Sequence, residues 1–173
     1  MATKTGKTAN VKGKTVPILG AALAVLAAVM IVALCLPKST TAEFTPPPFE
    51  QNAVFGTPET AAELGYSSPY KEGMAYRFSV CGNVTLEGND AVVYLTNPAE
   101  NSVWLKLRVL DENGKTLGET GLLRPGEYVR CVTLSSTVKA GTKIKLKIMG
   151  YEPDTYISAG SVSLNTAIGG LSE

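Results

Sequence analysis

The chain has 173 residues, 18% of them charged, with no histidine and a formal net charge of +1. The missing histidine excludes Ser-His-Asp triads, Cys-His pairs and the usual catalytic zinc sites. The small net charge hides an asymmetry: residues 1–42 carry five lysines and no acid, and the remainder carries eleven basic against fifteen acidic residues, a net of −4.

Residues 1–15 form a basic stub rich in Thr, Lys and Gly, too short and polar to fold alone. Residues 16–36, "VPILGAALAVLAAVMIVALCL", are an uncharged apolar run. At ~1.5 Å per residue this run is about 31 Å long as a helix, which matches a bilayer core and predicts a single transmembrane helix. Lys4, Lys7, Lys12 and Lys14 precede the run and only Lys38 follows it closely. That bias predicts a cytoplasmic N-terminus and an extracytoplasmic C-terminal part. It also assigns these lysines to topology and to anionic membrane lipid, not to nucleic acid. The run is longer than the apolar core of a cleaved signal, yet "TTA" ending at Ala42 has the small residues of a cleavage site, so anchor and cleaved signal both stand. Leu34 is bulky where a lipoprotein signal has a small residue before its cysteine, so Cys35 reads as a helix-embedded thiol.

Residues 37–73 read as a Pro-containing extended linker. Pro46, Pro47 and Pro48 favour polyproline II. Phe44, Phe49, Val54 and Phe55 have no use in a solvated spacer. They are candidates either for an arm packed on the following domain or for docking of a partner. "PETAAELGY" suits one short helical turn, closed by Gly65.

Residues 74–168 read as all-β, with a short tail at 169–173. "AYRFSVCG" and "AVVYLTNP" resemble strands. In "VWLKLRVL", Val103, Leu105, Leu107 and Val109 alternate with Trp104, Lys106 and Arg108, the period of a strand with one buried face. Asn113-Gly114 predicts a hairpin turn, in which both residues tolerate positive φ. "RPGE" and "KAGTK" are further turns. "KIKLKIMGY" alternates again, and "YISAGSVSLNTAI" is the last strand. About seven short strands with regular turn signals predict an immunoglobulin-like antiparallel β-sandwich, with a small closed barrel as the alternative. The Lys106/Arg108 and Lys143/Lys145/Lys147 stripes read as solvated outer faces that discourage edge pairing.

Cys81 and Cys131 lie in predicted strands of the exported part, where a disulfide and two free thiols are both admissible. Phosphate loops and dinucleotide fingerprints are absent, and no cofactor or metal is implied. "DENGKT" is out of register for a calcium loop. "NVT" at Asn83 fits a glycosylation triplet with nothing else in its favour. Trp104, Tyr151 and Tyr156 are the candidate binding surface if Trp104 faces outward; the alternative is that the linker or second sheet covers Trp104.

The stretch "LTNPAENSVWLKLRVLDENGKTLGETGLLRPGEYV", continued by "LKIMGYEPDTYISAGSVSLNT", covers roughly residues 91–166. Its Asn-Pro after a strand, Leu-Asp-x-x-Gly turn, Gly-x-x-x-Pro-Gly return and late Tyr-Glu-Pro resemble those of membrane-anchored, extracytoplasmic β-domain proteins of Gram-positive bacteria, some linked to conjugative or mobile elements. The resemblance implies localisation and fold and carries no catalytic residues. Three function classes follow. The first is a non-catalytic structural or interaction protein contacting a cell-envelope or secretion component. The second is a carbohydrate- or peptide-binding module using Trp104, Tyr151 and Tyr156. The third is a Ser/Lys hydrolase of envelope substrates.

Overall fold

The alternation along residues 103–110 is realised as a strand whose odd-numbered side chains enter the core. In the computed structural model, which describes residues 44–66 and 75–169, Leu105, Leu107 and Val109 are fully buried. The chain divides into two units, residues 1–44 and 45–173. The basic stub, the apolar run, the cleavage triplet and Cys35 all lie outside the described residues. Among the described residues no helix is long and apolar enough to cross a membrane.

The described residues hold eight strands in chain order: β1 (Val54–Phe55), β2 (Thr85–Glu87), β3 (Asp90–Thr96), β4 (Trp104–Leu110), β5 (Thr116–Glu119), β6 (Glu127–Thr133), β7 (Lys143–Tyr151) and β8 (Ser158–Ala167). They form two four-stranded sheets in the orders β1-β6-β3-β2 and β5-β4-β7-β8. All the strand pairings are antiparallel. One core joins the sheets: Ala91, Val93, Leu95, Val129 and Val132 from the first meet Leu105, Leu107, Val109, Ile144, Leu146 and Ile148 from the second. The architecture is therefore a β-sandwich. Burying each of these Val, Leu and Ile side chains contributes about 1.5–3 kcal/mol, set against the entropy of ordering the chain.

The turns follow their chemistry. Asp111 Oδ1 accepts hydrogen bonds from the backbone N–H of Asn113 (2.9 Å) and Lys115 (2.8 Å), closing the β4–β5 hairpin. Gly114 takes positive φ (82°) there and Asn113 does not, because the loop is longer than a two-residue turn and β4 and β5 shift register beside it. In "RPGE", Gly126 has φ 84° and Glu127 N–H reaches Arg124 O at 3.1 Å. This turn carries the chain from one sheet to the other instead of closing a hairpin.

Two readings need correction. The segment 75–82 makes isolated bridges, Ser79 with Thr96 and Cys81 with Tyr66, and the regular strand is the later β2. Lys106, expected in solvent, is 5% exposed. Within the linker, Val54–Phe55 pairs with β6, and the expected helical turn is present as a 3-10 turn, Ala62–Leu64, ended by Gly65 at φ 58°.

Asn97, after β3, is fully buried and serves as a polar clasp. Its amide donates to the carbonyls of Val103 and Leu123, each at 2.9 Å, and its oxygen accepts from Asn101 Nδ2 at 2.6 Å. Asn101 also accepts from the backbone N–H of Arg77. The corner that sends the chain from β3 to β4 is thus fixed by side-chain bonds.

Candidate functional site

β4 begins at Trp104 and β7 ends at Tyr151, and the ladder sets these two directly opposite each other. After Tyr151 the chain makes a tight loop, with Tyr156 N–H bonded to Glu152 O (3.0 Å) and Glu152 N–H to Ile157 O (2.8 Å). Asp154 and Tyr156 sit there at φ 64° and 56°. Non-glycine residues in this region cost about 1–3 kcal/mol each. The loop returns Tyr156 to Trp104, their rings edge to face at 5.3 Å.

The preceding segment completes the group. Leu122 N–H bonds Pro48 O and Glu50 N–H bonds Leu122 O, both at 2.9 Å, so residues 48–50 lie as a short parallel strip along Leu122. Gly121 faces this strip so closely that a Cβ there would stand 2.5 Å from the Glu50 nitrogen. Its N–H donates to Glu50 Oε2 at 2.7 Å. Phe49 then meets Trp104 edge to face at 4.8 Å, and the Arg124 guanidinium lies 3.7 Å over the Phe49 ring. The four aromatic side chains are half-buried.

Trp104, Tyr151 and Tyr156 are thereby brought to one end of the outer face of β4 and β7. Phe49 joins them as an arm packed on the domain and shields part of Trp104. Phe55 lies elsewhere, 80% exposed, against Gly126. Phe44 is also exposed.

Further along the same face, Lys106 Nζ and Arg108 Nε each lie 2.7 Å from a different Glu119 oxygen. Burial pushes the Glu119 carboxyl up, but hydrogen bonds and charge from Lys106 and Arg108 outweigh it and hold it below the ordinary carboxylate value. Register alone would have revealed this trio, because the β4–β5 ladder sets Arg108 opposite Glu119.

Two open pockets lie away from the aromatic group. One, of about 430 Å³, is lined by residues including Phe55, Tyr66, Ser79, Thr96, Asn97 and Glu100. Tyr66 and Thr96 share a hydroxyl–hydroxyl bond of 2.6 Å in it. The other, of about 350 Å³, includes Asp111, Glu112, Lys143 and Lys145. Among the described residues, neither pocket holds both a serine and a lysine. Nor do three His, Cys, Asp or Glu side chains converge among them as metal ligands would.

Cys81 and Cys131 are free thiols. Cys81 N–H bonds Val93 O on one side of β3, while Cys131 pairs with Val92 on the other. Two strand spacings, about 9–10 Å, separate them, beyond the ~7 Å Cα limit for a disulfide. Burial pushes the Cys81 thiol up to about 11. Burial also raises Cys131, against the opposing pull of Arg130.

No family model and no curated protein matches the chain. Among solved structures it is similar to the Ruminococcus gnavus beta-glucuronidase, at 20% identity and TM-score 0.36, over 53% of this chain and 15% of that one. The same enzyme in complex with uronic isofagomine matches at the same identity and score, over 14% of its chain. The chain spans a small part of that enzyme, and a likeness at this level carries no argument about activity.

Proposed function

We propose that this chain is a non-catalytic, membrane-anchored, extracytoplasmic interaction module. Residues 16–36 hold it in the membrane, and the sandwich contacts an envelope or secretion protein on the far side. The observation that carries this reading is the cluster of Trp104, Tyr151, Tyr156 and Phe49, half-exposed and backed by a rigid two-strand ladder. Aromatic residues on a fixed support are what protein interfaces use as anchors. An immunoglobulin-like topology is supported by strand order: β2-β3-β6 opposes β5-β4-β7-β8, with crossings between sheets at β3–β4, β5–β6 and β6–β7.

The test is to purify the intact protein from its native membrane, beside a Trp104→Ala/Tyr151→Ala variant. A specific protein recovered with the wild type and lost with the variant supports the reading. Recovery of lipid and background alone counts against it. Cell fractionation with external protease tests the topology in the same preparation, and full-length protein in the cytosol would defeat the anchor.

A second reading, a carbohydrate- or peptide-binding surface, is favoured by the same three side chains meeting on one patch. Saturable binding of a soluble glycan or peptide to the intact protein, lost in the same variant, would favour it over a protein partner.

A further inference from the structure

The four sheet edges differ sharply. β1 has two residues, β2 three ending in Glu87, and β5 four ending in Glu119. Short length and edge charge are the usual protections of an unpaired strand. β8 is also an edge, but it runs for ten residues, "SAGSVSLNTA", with no charged residue and no proline. The charges of this region sit one strand inward, on Lys143, Lys145 and Lys147 of β7.

We propose that β8 pairs antiparallel with β8 of a second copy of this chain, so that two sheets continue into one. The open seam is residues 158–165, about 27 Å of strand. Beyond it the chain is occupied: Thr166 Oγ1 donates to Gly82 O and Ile168 bridges Val84. Among the described residues no strand other than β7 pairs with the seam; within it Gly160 O accepts from Tyr76 Oη at 3.0 Å and Gly160 N–H donates to Ser158 Oγ at 3.2 Å.

Three features select a second copy as occupant. An antiparallel strand placed against itself about a two-fold axis matches each N–H with a C=O without requiring a second designed sequence. The seam carries no charge, so two copies meet without like-charge opposition, and a charged partner finds nothing there to pair with. Ala159, Val162 and Leu164 are only half-buried at the margin of the core, and a neighbouring strand would cover them. The outward Ser161 and Ser163 are small enough to meet their counterparts without clash. A single-strand seam lies at the low end of specific interface sizes, so the dimer is reversible.

The experiment uses the full chain in detergent micelles, followed by sedimentation velocity and backbone hydrogen exchange over about a hundredfold range of concentration. The comparison is a Ser161→Glu/Ser163→Glu variant. Position 163 lies opposite Lys147 within the same sheet, so the variant keeps its own fold, which unchanged circular dichroism verifies. The expected result is a monomer–dimer equilibrium in the wild type. Exchange should slow with concentration over residues 158–165 and not over 85–87, and the variant should weaken the dimer about tenfold or more. A monomer throughout, an association that the variant leaves unchanged, or protection at a different edge overturns the proposal.

Discussion

Phe49 and Trp104 meet edge to face at 4.8 Å, one from the segment preceding the sandwich and the other from the first residue of β4. The contact makes residues 48–50 part of the folded unit. Removing the ring in Phe49→Ala should cost about 1–3 kcal/mol, less than for a fully buried phenylalanine because this one is half-exposed. Trp104 is the only tryptophan, so its emission reports the contact directly. The variant should melt lower, emit to the red and be quenched more easily by acrylamide. Unchanged emission would mean that the arm does not rest on Trp104.

The Lys106–Glu119–Arg108 trio sets a pH dependence. The Glu119 carboxyl is held low, so its contribution is fully present above the ordinary carboxylate value of ~4.3 and is lost as pH falls through the depressed folded value. Glu119→Gln should abolish that part of the acid dependence. It should also cost about 1–3 kcal/mol near neutral pH, because Lys106 would remain nearly buried without a counter-charge. Partial exposure of Glu119 keeps the loss below that of a fully buried pair. Denaturant titrations of both proteins from pH 7 to acid check this.

Asn97 satisfies two carbonyls and one amide in the core. Asn97→Ala removes these bonds; Leu123 O keeps its bond from Leu105 N–H and Asn101 Nδ2 its bond to Arg77 O, so the loss falls mainly on Val103 O and should destabilise by about 1–3 kcal/mol. Asn97→Asp should be worse, since a carboxylate cannot donate to the carbonyls of Val103 and Leu123. Urea midpoints order the three proteins, and equal midpoints would refute the clasp.

The two thiols should behave differently. Cys81, buried and raised to about 11, should resist a thiol reagent at pH 8 until the protein unfolds, while the partly exposed Cys131 reacts first. A group raised in the folded state stabilises below its unfolded value, so stability should fall as pH rises from about 9 towards about 11. Cys81→Ala should flatten that slope. Mass spectrometry under non-reducing conditions should find no Cys81–Cys131 bond.

Asp154 is exposed at φ 64° in the loop that carries Tyr156. Asp154→Gly should raise stability by about 0.5–1 kcal/mol, because glycine adopts this conformation without strain. A lower melting temperature would show that Asp154 is held there by something beyond its backbone.

Much of the fold was legible in local pattern. Leu105, Leu107 and Val109, and Ile144, Leu146 and Ile148, announced two core strands because a strand with one buried face must alternate. Gly114, Gly126 and Gly65 marked chain reversals that need positive φ. Pairing across sequence was not legible. The burial of Lys106 depends on Glu119 arriving from β5, and β1 exists only because Val54–Phe55 lies against β6. Segment 75–82 alternates as a strand should, yet Gly82 and Asn83 turn the backbone towards Gly65 and Leu64, whose carbonyls they bond. At the candidate site the three aromatics were visible as residue types. Their convergence required the β4–β7 register and the strained loop, neither of which composition encodes.

The surface claim is tested most directly by site-specific photocrosslinking in intact cells, with the reactive side chain at position 151 of the full-length protein. The account predicts one discrete adduct with an envelope protein, absent when Trp104 is replaced by alanine and absent when the probe is moved to exposed Lys139. A lack of any adduct, or an adduct that persists in both controls, would contradict it.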